Sequence, residues 1–433
     1  MYEEASLMIS FVMFFIALAL LMIGFEVAFV FGGVALLFAF FSPELGLEVF
    51  SFLPFRIYGI MSNFTLMAVP LFIFMGLVLE KSRMAEDLLV SMSRLFGSLR
   101  GGLAISVVLV GAILAASTGI VSASVVMMSV IALPLMLRYG YSKSLSAGTI
   151  AASGTLGQII PPSIILIILG DVMSVSVGDL FKGAVLPGLL LVGLYILYIL
   201  LYAFVKKEVA PAIHDEKQSF FTTVNAIVPP LMLILIVLGS IFAGIASPTE
   251  SAAFGVLGAV LLSVYKRSFS MDVMRYASLE TLKLSGMIFM ILIGATAFSL
   301  VFNELGGSDI ILEFFSEDLA DPWLFIGLAM VVIFILGLFI DFIEISFIVV
   351  PIMVPVLEEL GIDPIWFAIL VAMNLQASFI TPPFGLSLFF LKGAAQNMVT
   401  TLQIYKGILP FIFLQIVALG LVILFPDLVF AFL

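Results

Sequence analysis

Long apolar stretches, interrupted by short groups of charged residues, make up most of this sequence. They fall near 7–23, 27–41, 55–79, 101–137, 144–170, 184–205, 224–245, 250–265, 284–302, 322–357, 365–391 and 407–426. Only 10% of the residues are charged and 63% are hydrophobic, whereas a soluble domain has about 25% charged residues. Because about 20 apolar residues cross a bilayer as one helix, the sequence predicts an all-α polytopic membrane protein with roughly ten to twelve spans.

Several classes of protein are excluded by composition and by missing motifs. The net charge of −11 argues against a nucleic-acid partner. There is no cysteine and one histidine, His214, so a disulfide framework, thiolate catalysis and a zinc centre lack their ligands. No GxxxxGK[ST] loop occurs, so ATP hydrolysis is not expected here. The acidic start, Glu3 and Glu4, is unlike a basic signal-peptide n-region, and the first stretch is predicted to be an uncleaved span with its N-terminus outside the cytoplasm.

Two stretches, 101–137 and 322–357, are too long for one span, since each would exceed about 50 Å as a single helix. Basic residues flank the first one: Lys81, Arg83, Arg94 and Arg100 before it, Arg138 and Lys143 after it. Acidic residues flank the second one: Glu313, Glu317, Asp318 and Asp321 before it, Glu358, Glu359 and Asp363 after it. Because basic loops stay in the cytoplasm, the sequence predicts two re-entrant hairpins that enter the membrane from opposite faces.

An internal repeat relates the two halves of the chain at an offset of 221 residues. The offset places Pro134 on Pro355, Gly140 on Gly361, and the pair Pro161-Pro162 on Pro382-Pro383. Opposite charge at matching loops predicts opposite orientation of the halves, which is typical of secondary transporters. We therefore expect two inverted-topology repeats, each with about five transmembrane helices plus one hairpin. They cover 1–205 and 224–433 and are joined by a cytoplasmic linker, 206–223, that contains His214.

Each repeat also contains a helix that is interrupted in the membrane, at 144–170 and at 365–391. Both interruptions combine a proline pair with Gly, Ser, Thr, Asn or Gln residues, and prolines leave helical carbonyls without donors. In lipid such groups are tolerated where protein, water or a bound ion contacts them. Helix C-termini and free carbonyls suit a desolvated Na⁺, while helix N-termini suit a carboxylate. The pattern therefore predicts an ion-coupled transporter with Na⁺ as the coupling ion and no organic cofactor.

The candidate site residues follow from these interruptions and from the hairpin turns. The predicted sodium-binding residues are Ser117, Thr118, Gly154 and Thr155 at one site and Gly337, Asp341, Asn374 and Gln376 at its counterpart. The predicted substrate-binding residues are Ser153, Gln158, Pro161, Pro162, Ser163, Ser378, Thr381, Pro382 and Pro383. A plainer interpretation stays open for the hydroxyls near 117–124, which are also typical of helix packing. Asp341 is costly at a bilayer centre, by at least about 2.5 kcal/mol, which favours a functional or paired role.

These motifs resemble the large membrane subunit of the TRAP (tripartite ATP-independent periplasmic) transporters. The resemblance rests on Gly154-Thr155-Leu156-Gly157, Ile160-Pro161-Pro162-Ser163, Asn374-Leu375-Gln376 and Thr381-Pro382-Pro383-Phe384-Gly385. It implies an elevator-type Na⁺ symporter in the bacterial inner membrane, working with a small four-helix membrane subunit and a periplasmic binding protein that delivers an organic acid. The hairpins and broken helices would then form the transport domain. The helices near 7–41, 55–79, 224–265 and 284–302 would form the scaffold.

Other functions remain as alternatives at this point. A single-component Na⁺-coupled carboxylate or ion transporter would have the same broad architecture. An intramembrane enzyme is disfavoured because the position equivalent to Asp341 is Ile120, which leaves an aspartyl dyad without a partner. A channel is disfavoured because paired re-entrant hairpins with interrupted helices are typical of alternating access.

Overall fold

The computed structural model describes residues 2–42, 45–82, 84–118, 120–213, 220–315 and 321–433. Side chains are described within these ranges except at 2–7, 85, 115–118, 220 and 222. The described chain consists of helices, turns and loops without strands, which confirms the all-α prediction. His214 and the rest of the predicted linker core, 214–219, lie outside the described residues.

The first part of the chain forms five helices that precede the first predicted hairpin. They are α1 (Tyr2–Ile23), α2 (Val27–Phe41), α3 (Leu53–Met61), α4 (Ala68–Lys81) and α5 (Met84–Phe96). Helix α5 is amphipathic: Glu86 and Asp87 lie in its first turn and Arg94 in its last turn, where they complement the helix dipole. Its buried residues Leu88 and Leu89 contact the apolar core.

The stretch 101–137 folds as two helices, and the stretch 144–170 is interrupted. The helices are α6 (Gly102–Thr118), α7 (Val121–Arg138), α8 (Lys143–Gly154) and α9 (Ile164–Val172), followed by the long α10 (Val177–Val205). Between α8 and α9 lie a short 3₁₀ turn, Leu156–Gln158, and the proline pair. The loop after α7 is fixed by Tyr141, whose hydroxyl accepts the Leu103 N–H at 3.2 Å. Burial raises the pKa of Tyr141 to about 12, so this hydroxyl stays protonated.

The second half follows a similar order of elements, except that its third helix takes the positions of both α3 and α4 and its last helix has no counterpart. Its helices are α11 (Phe220–Phe242), α12 (Pro248–Tyr265), α13 (Met271–Glu304), α14 (Gly307–Glu313), α15 (Pro322–Leu336), α16 (Phe342–Glu359), α17 (Pro364–Phe379), α18 (Leu386–Ala394), α19 (Thr401–Leu424) and α20 (Asp427–Phe430). Side-chain caps define several of the starts. Ser247 and Glu250 form a capping box on α12, as do Thr400 and Gln403 on α19.

Helix starts and packing partners recur between the halves. Helices α2, α7 and α8 begin 221 residues before α12, α16 and α17 respectively. Helix α2 packs on α13 as α12 packs on α4, and α7 packs on α18 as α16 packs on α9. This correspondence agrees with the offset found in the sequence. The opposite orientation of the halves stays a prediction.

The broken helices occupy the centre of the molecule. Leu145–Gly154 of α8 and Trp366–Phe379 of α17 are buried without interruption, whereas α1, α2 and α11–α13 expose many large apolar side chains. Helix α19 packs so closely on α8 that a Cβ atom on Gly148 would overlap the Gly407 carbonyl. The first interruption, 155–163, is enclosed by protein, whereas Pro383 and Phe384 of the second interruption are exposed.

Within the described residues, six helices are long and apolar enough to cross a membrane alone. They are Val121–Arg138, Val177–Val205, Thr223–Phe242, Pro248–Tyr265, Met271–Glu304 and Thr401–Leu424. This number is lower than the ten to twelve spans expected from total length. Part of the difference arises because the hairpin and broken stretches divide into shorter helices, such as Pro322–Leu336 and Pro364–Phe379. The apolar segments Met8–Ile23 of α1 and Val27–Phe41 of α2 are also shorter than 18 residues.

Candidate functional site

A cavity of about 100 Å³ lies where the two hairpin turns meet the two broken helices. Four of its lining residues are the first residues of helices: Val121 of α7, Ile164 of α9, Phe342 of α16 and Leu386 of α18. Each of these helices begins directly after one of the predicted interruptions or turns. The fold therefore directs four helix N-termini at one small space.

This convergence determines the electrostatics of the cavity. The first N–H groups of a helix have no partner within the helix, and each N-terminus carries roughly half a positive charge. Two of the four helices, α9 and α18, are only nine residues long, so their fields act mainly at their ends. Because no Lys or Arg lines the cavity among the described residues, backbone dipoles supply its positive character. Such a site suits an anion.

Asp341 is the acidic side chain in this lining. It is the N-cap of α16, and its Oδ1 accepts the Phe342 N–H at 2.7 Å. One carboxylate oxygen is thus committed to the helix start. Of the predicted site residues whose side chains are described, Asp341 is the one that the cavity lining contains.

The two broken helices contact each other through a matched pair of polar side chains. Gln376 Nε2 donates to Thr155 Oγ1 at 3.5 Å, and Thr155 Oγ1 donates to the Ala152 carbonyl at 2.9 Å. Thr155 and Gln376 are 221 residues apart, which is the offset that relates the two halves. Each of these residues therefore contacts its own counterpart. The two predicted sodium sites, assigned separately from sequence, adjoin at this pair.

Two buried amide side chains, Gln376 of this pair and Gln158 nearby, have polar atoms without hydrogen-bond partners. Gln158 is 2% exposed, and neither its Oε1 nor its Nε2 has a partner. Gln376 is fully buried, and its Oε1 also has no partner. Buried polar atoms nearly always have partners in proteins. Unpartnered amide oxygens at a helix interruption are consistent with a bound cation or water.

Most of the other predicted site hydroxyls bond to nearby carbonyls. Ser153, Ser378 and Thr381 donate to carbonyls three or four residues earlier. Ser163 Oγ donates to the Gln158 carbonyl at 2.7 Å, and Asn374 Nδ2 donates to the Met330 carbonyl of α15 at 2.6 Å. Each hydroxyl oxygen keeps a free lone pair for an ion. Asn374 also fixes the hairpin to the broken helix.

The remaining predicted residues shape the backbone. The peptide bonds Pro161-Pro162 and Pro382-Pro383 are both cis. Gly154 is buried at the end of α8, and a Cβ atom on Gly337 would overlap Ser378 Oγ, so hairpin and broken helix approach closely there. The proline pairs do not line the cavity. The side chains of Ser117 and Thr118 lie outside the described residues.

A second, larger cavity of about 690 Å³ continues from the first, and the sequence did not single it out. The two share Ile120, Ser122, Leu284 and Phe390. Its far end is lined by Glu80, Lys81, Glu86, Tyr276 and Glu280, from α4, α5 and α13. This vestibule leads from the hairpin turns to the end of the molecule where the basic residues predict the cytoplasm. Ser122 was indicated only as one of the hydroxyl residues near 117–124 at the predicted hairpin turn.

Grouped acidic or imidazole ligands are not found in the part of the chain that is described. No set of three or more His, Cys, Asp or Glu side chains is close enough there to hold a metal ion. The polar groups available at the interruptions and hairpin turns are hydroxyls, amides, carbonyls and two carboxylates, Asp341 and the buried Glu344, whose Oε2 has no hydrogen-bond partner. Hard, mostly neutral oxygens of this kind suit a monovalent cation better than a transition metal.

Known proteins are similar to this chain in sequence and in fold. The family model described as the DctM component of tripartite ATP-independent periplasmic transporters matches residues 13–428. The chain is 32% identical over 394 residues to the C4-dicarboxylate TRAP transporter large permease protein DctM of Pseudomonas aeruginosa, with 90% of each chain covered. It is 32% identical over 367 residues to the ectoine TRAP transporter large permease protein TeaC of Halomonas elongata, with 84% of each covered. The crystal structure of the Alcanivorax borkumensis YdaH transporter has a TM-score of 0.66 at 16% identity, covering 90% of this chain and 91% of that one, and indicates a shared fold.

Proposed function

The chain belongs to the DctM family of TRAP transporter large permeases, and from this membership we propose that it carries an organic acid through the inner membrane of a bacterium, driven by Na⁺. In this proposal a periplasmic binding protein delivers the acid, and a small four-helix membrane subunit completes the carrier. The membership favours this three-part arrangement over a single-component transporter.

The observation that carries the proposal is the convergence of four helix N-termini on one cavity. A carboxylate placed there would accept hydrogen bonds from N–H groups at the starts of α7, α9 and α18, which have no side-chain cap. The Phe342 N–H at the start of α16 is already bonded to Asp341. The site needs no basic side chain, so the anion is held by dipoles that move together with the helices. Moderate attraction of this kind lets an anion be released into the vestibule after transport.

Coupling to Na⁺ is supported by the polar groups beside this cavity. Asp341 keeps one carboxylate oxygen that does not cap α16, and the amide oxygens of Gln158 and Gln376 lack partners. A cation held there would lie next to the anion site and offset its charge. Binding of Na⁺ would then strengthen binding of the acid, because opposite charges attract strongly away from bulk water.

An elevator movement is supported by the surfaces that face each other across the cavity. The scaffold side contributes Ile73 of α4 and Leu284, Met287 and Ile288 of α13, all apolar. Apolar surfaces lack directional bonds that must break when one slides along the other. A polar link between the two sides joins Asn63 Nδ2, before α4, to Asp171 of α9. We propose that this link holds one end position of the slide.

The proposal is tested by placing a charge at the start of α7. Ser122 is the second residue of that helix and lines both cavities. In Ser122→Asp a fixed carboxylate would occupy the helix N-terminus and repel an acidic cargo. Ser122→Asn, which has nearly the same shape without the charge, is the matched control.

The measurement is uptake into proteoliposomes that contain the chain, its small subunit and its binding protein. Labelled succinate and ectoine are supplied with an inward Na⁺ gradient or an equal K⁺ gradient. We expect Na⁺-dependent uptake of a cargo, loss of at least tenfold in Ser122→Asp, and substantial activity in Ser122→Asn. Equal uptake by the Asp and Asn variants would remove the anion site from this cavity, and equal uptake in K⁺ would refute Na⁺ coupling.

A further inference from the structure

A polar cavity of about 540 Å³ lies away from the transport site, where α4 and α12 end and α13 begins. Three basic residues line it, Lys81, Lys266 and Arg267, together with one acidic residue, Asp87. Serine hydroxyls complete the polar lining, among them Ser268 and Ser270. Neither the predicted site nor the transport proposal uses this cavity.

The basic groups in this cavity are only partly neutralised. Lys266 Nζ lies 3.5 Å from Asp87 Oδ2, and Lys81 Nζ lies 3.6 Å from Glu80 Oε1. Among the described residues no carboxylate forms an ion pair with Arg267, which is exposed at a turn with φ of 56°. The guanidinium group, with its planar set of donors, is therefore available to an oxyanion.

The start of α13 adds positive potential on the same side. This helix has 34 residues, and its N-cap Ser270 accepts the Val273 N–H with its side chain. Ser270 also lines the cavity, so the N-terminal end of the helix dipole lies beside the basic groups. Basic side chains, hydroxyls and a helix N-terminus in one cavity form a built site for a phosphate group.

Large exposed apolar side chains are the sequence neighbours of residues that line the polar cavity. Tyr265, Phe269 and Met271 are 63%, 43% and 75% exposed. Tyr265 precedes Lys266, and Phe269 and Met271 flank Ser270. A soluble phosphate compound would leave these apolar side chains without a contact. A phospholipid would contact them, because its acyl chains can lie against the apolar side chains while its phosphate enters the cavity.

We propose that this cavity binds the phosphate of an anionic phospholipid. The basic residues predict that this end faces the cytoplasm, where basic pockets between helices bind anionic headgroups. The bound lipid connects the ends of α4 and α12 with the start of α13. The proposal depends on insertion into a membrane and does not depend on the identity of the cargo or the coupling ion.

The test is native mass spectrometry of the full-length chain in detergent. Phosphatidylglycerol and phosphatidylcholine with identical acyl chains are titrated onto the protein. The double variant Lys266→Gln/Arg267→Gln removes two of the three basic side chains that line the cavity and leaves Lys81. The matched control is Lys206→Gln/Lys207→Gln, an adjacent basic pair at the end of α10, outside the proposed cavity.

We expect the wild type and the control to bind phosphatidylglycerol more tightly than phosphatidylcholine. The double variant should lose roughly 25-fold in phosphatidylglycerol affinity, from about 1 kcal/mol for each basic residue near a membrane surface. Equal binding of the two lipids by the wild type would overturn the proposal, as would equal losses in both double variants. Full displacement by millimolar inorganic phosphate would assign the site to a soluble oxyanion instead.

Two readouts separate folding defects from lost binding. Thermal melting and gel filtration are measured for each variant, and the single variants Lys266→Gln and Arg267→Gln replace the double one if it aggregates. The headgroup preference of the wild type stands as an independent measurement. A transport failure leaves these lipid measurements unchanged, so the two proposals fail separately.

Discussion

Replacing Gly294 by alanine should destabilise the contact between α2 and α13. A Cβ atom at this position would lie 2.6 Å from the Ala28 carbonyl oxygen, where ordinary contact begins at 3.4 Å. The nearby atoms belong to the backbone of α2, so no flexible side chain can move aside. The helices must separate by most of 1 Å, and overpacking of this kind costs about 1–3 kcal/mol.

The same substitution also gains helix stability, because glycine inside a helix is less favourable than alanine by roughly 0.5–1 kcal/mol. Gly286→Ala isolates that gain, since Gly286 is in the same helix and a Cβ atom there meets nothing within 4 Å. We therefore expect Gly294→Ala to lose a net of about 1–2 kcal/mol and Gly286→Ala to be neutral or slightly stabilised.

The assay is thermal melting of the purified chain in detergent, followed by aggregation on gel filtration. Valine at both positions extends the series, because it adds volume at Gly294 and carries the same helix penalty at Gly286. A melting temperature for Gly294→Ala at or above that of Gly286→Ala would refute the packing argument. Equal losses for the two valine variants would also refute it.

Three further predictions concern orientation, ion binding and movement. The chain has no cysteine, so single cysteines can be placed at Tyr139 and at Glu359. They should react with a membrane-impermeant reagent from opposite faces of the membrane. Reaction of both positions from the same face would refute the inverted repeat. Thr155→Val keeps the shape of the side chain and removes the hydroxyl that accepts the Gln376 hydrogen bond. It should raise the Na⁺ concentration for half-maximal uptake several-fold, whereas unchanged Na⁺ dependence would exclude Thr155 from the site. Cysteines at Ile73 and Phe390 both line the cavity, from the scaffold side and the hairpin side. Joining them with a reducible bifunctional thiol reagent should stop uptake reversibly, and normal uptake by the crosslinked protein would refute the elevator movement.

The interruptions of the helices were predictable from sequence because proline pairs and a repeated offset have direct backbone consequences. The end of α8 at Gly154 and the restart of α9 at Ile164 lie inside the predicted broken stretch. The length of 101–137 likewise predicted two helices in place of one. These features depend on local chemistry and on distance along the chain, both of which a sequence records.

The cavity lining was less predictable, for a physical reason. Val121, Ile164 and Leu386 contribute to it through their positions at helix starts, and their side chains resemble those that face lipid. Backbone N–H groups carry no residue-specific signal, so the sequence predicted helix N-termini at the interruptions but not which residues line the cavity between them. The vestibule was missed because Glu80 and Glu280 come from distant segments that only the packing of α4 and α13 brings together.

The contact between Thr155 and Gln376 has a consequence for cooperativity. A hydroxyl and an amide that touch across the two halves cannot orient independently, so an ion that draws the Thr155 oxygen toward one interruption also reorients the Gln376 amide toward the other. If one cation binds on each side of this hydrogen bond, the first cation to bind would orient the side chain that the second cation contacts. Uptake plotted against Na⁺ concentration should be sigmoidal in the wild type, and Gln376→Leu should flatten that curve toward a simple hyperbola.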